Sequence, residues 1–177
     1  MNPPDPAAWP FLGKSQRPQP ACHEHVAIVR PALADLILSG RKTIESRITK
    51  VRGPAFQRVH PGDAIYFRES GGGFRVLATV EKAVHLRDLT AAGLRALREV
   101  FGVEIGADAA YWRSRKGSRY ASLMWLVDAR ANLEGPANWR WPGFRDRSAW
   151  GSREISKGMP LRVEGPVEHP IAQRRRA

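Results

Sequence analysis

What most limits how this chain can fold is a series of short, apolar and β-branched runs cut apart by turn residues. Residues 25–29, 43–50, 64–69, 74–84 and 121–131 each read as a strand. Arg52-Gly53-Pro54 and Pro61-Gly62-Asp63 break the chain between them, and Ser70-Gly71-Gly72-Gly73 closes a hairpin. The run at 74–84 is long enough to bend across a barrel. Two stretches carry helical spacing instead. Pro31 suits a first helical turn, Leu33, Leu36 and Ile37 share one face, and Gly40 stops the helix. Asp88 or Thr90 caps a second helix that reaches Phe101 with Leu94, Leu97 and Phe101 inward and Gly102 as its stop. A further helical turn is expected over 107–113. Strand, helix, strand, hairpin-linked strands, helix and returning strand predict an α+β fold, a small closed β-barrel of five or six strands with flanking helices.

A chain of 177 residues suits one domain with tails. Pro3, Pro4, Pro6, Pro10, Pro18 and Pro20 forbid helix and central strand over residues 1–22, so a disordered arm is expected there. The domain occupies 23–160. Residues 161–177 form a basic tail ending in Arg174-Arg175-Arg176. The 29 basic and 17 acidic residues leave a net charge of +12. Such an excess favours a polyanionic partner, because Lys and Arg release counterions from phosphates; a merely soluble basic surface is the plain alternative. Cys22 is the single cysteine, which excludes an internal disulfide, and with His23 and His25 it makes a poor tetrahedral set. No metal or cofactor is expected. No run approaches the ~18 apolar residues of a membrane span, and no basic, apolar leader opens the chain. The expectation is a cytoplasmic monomer.

Chemistry concentrates at Gly40-Arg41-Lys42-Thr43-Ile44-Glu45-Ser46-Arg47, where a turn after a helix opens a strand with both signs of charge close together. Strand alternation sets Lys42, Ile44, Ser46 and Ile48 on one parity and Thr43, Glu45, Arg47 and Thr49 on the other. The plain reading is a solvated charge set. A binding reading puts Arg41, Lys42 and Arg47 on phosphate or a base edge, with Glu45 orienting Arg47. A catalytic reading needs Lys42 partly neutral, with Thr43 and Glu45 beside it. Glu45 favours the charged amine, so the electrostatics favour binding.

A second cluster, Arg113, Arg115, Lys116 and Arg119, interleaves with Trp112 and Tyr120. Cations that track phosphates and aromatics that stack on bases make such a loop a nucleic-acid grip; the alternative is that Tyr111, Trp112 and Tyr120 anchor the core. Trp139, Trp141, Phe144 and Trp150 are expected to form a lid, with Trp150 the choice for a pocket wall. The triple glycine at 71–73 is no phosphate loop, since strands and no helix flank it. His60 and His85 have no carboxylate at triad spacing, and neither a Ser–His–Asp nor a Cys–His arrangement is visible.

The order Ile37-Leu38-Ser39-Gly40-Arg41-Lys42-Thr43-Ile44-Glu45-Ser46-Arg47, followed by Gly62-Asp63-Ala64-Ile65-Tyr66-Phe67, resembles the ASCH domain family over residues 25–130 and onward toward Trp150 and Glu154. The resemblance implies a PUA-like barrel, related to the EVE and YTH domains. It also implies a nucleotide-sized cleft beside the first helix that takes RNA, another single-stranded nucleic acid or a modified nucleotide. The resemblance places Lys42, Glu45 and Arg47 in that cleft; with the residues read above, the expected nucleic-acid contacts are Arg41, Lys42, Glu45, Arg47, Arg113, Arg115, Lys116, Arg119 and Trp150. A subgroup resembles acetylcytidine amidohydrolases, which use a Lys, a Thr three residues later and a distant Glu. Lys42 fits the first position, but Glu45 stands in the second; Glu99 and Glu104 are candidates for the third. A small hydrolase on modified nucleosides, or a ribonuclease, is therefore the alternative to a binding domain.

Overall fold

The computed structural model of the chain describes residues 23–139, 141 and 149–155; the proline-rich arm, Phe144 and the basic tail lie outside them. The elements run β1 (His23–Val29), α1 (Pro31–Leu38), β2 (Ile44–Thr49), β3 (Ala64–Glu69), β4 (Phe74–Leu86), α2 (Ala91–Ile105), α3 (Ala109–Ser114), β5 (Tyr120–Ala131) and β6 (Trp150–Glu154). The strands form one sheet in the order β2-β5-β4-β3-β1-β6. It curls into a half-barrel with three helices, an α+β fold of the PUA-like kind. β1 and β3 pair in parallel, and the other pairs are antiparallel. A parallel pair needs a crossover, which α1 and β2 supply.

The ends of the helices decide where the site residues fall. Pro31 sits in the first turn of α1, where its missing N–H costs nothing. Gly40 takes a left-handed φ of 69° after Ser39 and donates its N–H to the Ile37 carbonyl, which turns the chain sharply toward β2. α2 begins as expected at Thr90, whose side chain accepts the Gly93 N–H. It continues past Gly102, however, and ends at Gly106, whose φ of 65° is left-handed. The extra turn completes an inward face of Leu97, Phe101 and Ile105, and that packing outweighs the modest cost of a glycine inside a helix. Asp108 caps α3 by accepting the Tyr111 N–H at 2.7 Å.

The apolar residues divide into packed groups on either side of the sheet. Ala27, Val29, Ile37, Phe67, Val76, Val80, Met124 and Trp150 fill the inside of the curl with α1. Ile44, Ile48, Ala121 and Leu123 pack under α2 and α3, where Trp112 is buried as a core anchor. Tyr66, Phe74, Leu77 and Trp141 form a third group with Trp139 against it. Among the described residues no helix is long and apolar enough to cross a membrane.

The ladder ends at β2 on one side and β6 on the other. A side chain bridges the seam between these ends. The Arg47 guanidinium, from β2, donates to the carbonyls of Ala149 at 3.1 Å and Ile28 at 3.3 Å.

A candidate ligand cavity at the sheet seam

A cavity of about 450 Å³ opens at this seam. Its walls come from the end of β1, from β2, from the loop after β2 and from the α2–α3 connection. Among the residues expected at a site, Lys42, Glu45, Arg47, Arg115 and Trp150 all line it.

Lys42 reaches the cavity floor because it precedes β2 and escapes strand alternation. Its N–H donates to Leu36 O at the end of α1, and the next N–H, of Thr43, donates to Glu104 O at the end of α2. Both helix termini thus clamp the turn. Gly106 makes room: a Cβ there would stand 3.2 Å from Leu36 Cδ1 and 3.4 Å from Lys42 Cβ. The Lys42 ammonium donates to Ile44 O at 2.6 Å and Ile105 O at 2.9 Å, and lies 3.1 Å from Glu45 Oε2. Arg47 Nε stands 2.9 Å from the other Glu45 oxygen.

Lys42 and Glu45 are only 3% and 4% exposed. Burial pushes the Lys42 pKa below the lysine range, and Glu45 opposes that. For Glu45, burial pushes upward, but Lys42 and Arg47 outweigh it and hold the carboxyl below its usual range. The floor is therefore an internal charge triad with its polar atoms turned on one another. The three ammonium protons face three acceptors, so Lys42 is poorly placed to attack a substrate or to grip an outside phosphate.

Beside this triad the cavity wall carries further polar and aromatic groups. Ser46 Oγ and Tyr111 Oη share a hydrogen bond of 2.8 Å on the cavity wall. Burial raises the Tyr111 pKa, so its hydroxyl stays protonated. Arg115 lies 4.8 Å over the Tyr111 ring and donates to Ile48 O. Arg47 lies 5.1 Å from the Trp150 ring centroid. Phe56 and Tyr120 meet edge to face on the far side. Ser46 was not among the residues expected at a site, and core anchoring was only the alternative reading for Tyr111 and Tyr120, both of which line the cavity. Tyr111, half-buried at the edge of the core, has its hydroxyl in the cavity.

Other expected residues lie elsewhere. Arg41 is exposed, bonds Ser39 Oγ, and stands outside the cavity lining. Thr43 likewise stays out of it, its backbone tied to α2 and β5. Glu99 is exposed on α2, and Glu104 is half-buried; neither lines the cavity. Arg113 and Lys116 are exposed around the end of α3, and Arg119 pairs with Asp88 at 3.0 Å. Trp139 and Trp141 pack on the third apolar group and not over the seam, so of the expected lid only Trp150 reaches the cavity among the described residues. Among the described residues no group of three or more His, Cys, Asp or Glu is arranged to hold a metal ion.

No protein-family model matches the chain, and no curated protein matches it. Solved structures do. The ASCH protein of Zymomonas mobilis is 21% identical with a TM-score of 0.52, covering 76% of this chain and 88% of that one. A serine-to-alanine mutant of the ASCH protein from the same organism gives 20% identity and a TM-score of 0.54, over 78% of this chain and 92% of the other. A tyrosine-to-phenylalanine mutant gives 20% and 0.52, over 76% and 91%. At these identities the likeness is one of fold.

Proposed function

Starting from the ASCH fold of this chain, we propose that the seam cavity binds one nucleotide of a single-stranded RNA, with the flanking strand held on the basic surface around α3. The observation that carries this reading is the composition of the cavity wall. A space of about 450 Å³ combines the aromatic side chains of Phe56, Tyr111, Tyr120 and Trp150 with the cations Arg47 and Arg115. Aromatic faces stack on bases of any sequence, at about 1–3 kcal/mol per base. The paired hydroxyls of Ser46 and Tyr111 offer a donor and an acceptor to a base edge. Arg113 and Lys116, exposed beyond the mouth, suit backbone phosphates.

Fluorescence anisotropy with a labelled single-stranded oligoribonucleotide tests the reading. Affinity is expected to fall steeply with salt, and Arg113→Ala with Lys116→Ala to lower the slope of log K against log salt by about 0.7 for each lost phosphate contact. Tyr120→Ala is expected to weaken binding at every salt concentration. Binding that ignores both changes would overturn the proposal. Turnover of an acetylated nucleoside that is lost in Lys42→Ala would favour the hydrolase instead, although the committed donors of Lys42 argue against it.

A further inference from the structure

Beside Trp150, and outside the lining of the seam cavity, lies a further hydrogen-bonded chain. The register of β1 against β6 sets His25 directly across from Ser152, so their side chains share a face. Asp63 ends the turn before β3, which lies beside β1 in parallel. His25 Nδ1 is 2.8 Å from Ser152 Oγ, and His25 Nε2 is 3.0 Å from Asp63 Oδ2. The direction of these bonds follows from their partners. Asp63 also accepts the backbone N–H groups of His23 at 3.1 Å and His60 at 2.7 Å. Although burial pushes upward, the His25 and His60 hydrogen bonds hold its carboxyl below the usual range, so it is an anion and accepts from Nε2. Burial lowers the His25 pKa, leaving the ring neutral, with Nδ1 bare to accept the Ser152 hydroxyl proton. The Trp150 indole N–H donates to Ser152 Oγ at 3.0 Å.

We propose that Ser152, His25 and Asp63 form a second site, an acyl-transfer centre that hydrolyses small acyl esters. His25 itself is fully buried and reaches the surface only through Ser152. Ser152 is half-exposed on the wall of a separate cavity of about 280 Å³. Arg58 and Arg153 line the same cavity; the Arg153 guanidinium donates to Glu24 and to the Ala137 carbonyl, which leaves Arg58 as the cation to face a developing oxyanion. In the reaction Ser152 Oγ attacks the ester carbonyl carbon while its proton passes to His25 Nδ1. The tetrahedral adduct collapses with cleavage of the carbon–alkoxy bond, and the departing alcohol takes that proton. Water then attacks the acyl-serine with His25 again as base, which releases the carboxylic acid and restores Ser152. Asp63 is a positioning residue that holds the tautomer.

The full-length chain, treated with a fluorophosphonate probe and separately with p-nitrophenyl acetate, tests the proposal without any RNA. Peptide mapping is expected to find the phosphonyl group on Ser152. Ester hydrolysis is expected to rise with pH along a single titration whose midpoint lies below that of an ordinary histidine. Ser152→Ala should lose the label and at least tenfold of the hydrolysis rate. Asp63→Asn should slow hydrolysis and displace the pH profile, which loss of a purely structural contact would not do. Ser152→Cys keeps the residue's size; its alkylation by iodoacetamide at pH 7 should outpace that of free cysteine. Absence of label on Ser152 in folded protein, hydrolysis by Ser152→Ala at the original rate, or alkylation of Ser152→Cys no faster than free cysteine would each overturn the proposal.

Discussion

At the scale of single residues, the triad Lys42–Glu45–Arg47 shows how one turn position changes the meaning of a motif. Read on a strand, Lys42 and Glu45 belong to opposite faces. In the fold Lys42 stands before β2, and its ammonium meets the Glu45 carboxylate at 3.1 Å in a nearly dry floor. The composition of the motif was legible in the sequence, and so was the conflict between Glu45 and a nucleophilic lysine. The commitment of all three ammonium protons was not, since two of the acceptors are backbone carbonyls, one of them from Ile105 at the far end of α2. Removing one member of a buried ion pair strands the other. Lys42→Met is therefore expected to lower stability by about 3 kcal/mol in urea denaturation. Glu45→Gln should cost less, because the ammonium keeps both carbonyls.

Elements were easier to read than their partners. β1, β3, β4 and β5 fall close to the expected runs because each carries a buried, β-branched or aromatic face. β6 was missed. Its sequence, Trp150-Gly151-Ser152-Arg153-Glu154, has no apolar alternation, and it becomes a strand only by pairing with β1. The Ser152–His25–Asp63 chain was hidden for the same reason, since it joins residues 127 and 38 positions apart. That chain also gives the β1–β3–β6 corner a pH dependence. In the folded state His25 titrates below the ordinary histidine value of 6.5, because burial disfavours the imidazolium; Asp63 opposes this, and His23 and His60 add to it. His85 shifts the same way through burial. Protons therefore bind the unfolded chain more readily, so the stability from both histidines is complete above pH 6.5 and drains as pH falls below it. Asp63 adds a loss only below its ordinary 3.8. Urea midpoints at pH 7.5 and 5.5 should show the lower value at 5.5, and a folded His85→Asn variant should show a smaller difference.

For the whole molecule, what matters is which strands are central and which are terminal. β4 and β5 each have a neighbour on both sides, whereas β2 and β6 each have one. Edge strands with unpaired backbone groups open first. Native-state hydrogen exchange is expected to find the slowest amides in β4 and its neighbours β3 and β5, with β6 among the fastest of the sheet. Equal protection of β6 and β4 would contradict this.

Arg47 carries that asymmetry into the cavity. Its guanidinium holds the seam by donating to Ala149 and Ile28, and it is also a cation on the cavity wall. A ligand that draws Arg47 away must give back two hydrogen bonds, each worth about 0.5–1.5 kcal/mol net. A ligand that stacks on Arg47 without displacing it leaves the seam shut. If the cavity takes a ligand as proposed, the same arginine is a latch that sorts ligands by whether they tighten the strand ends or prise them apart.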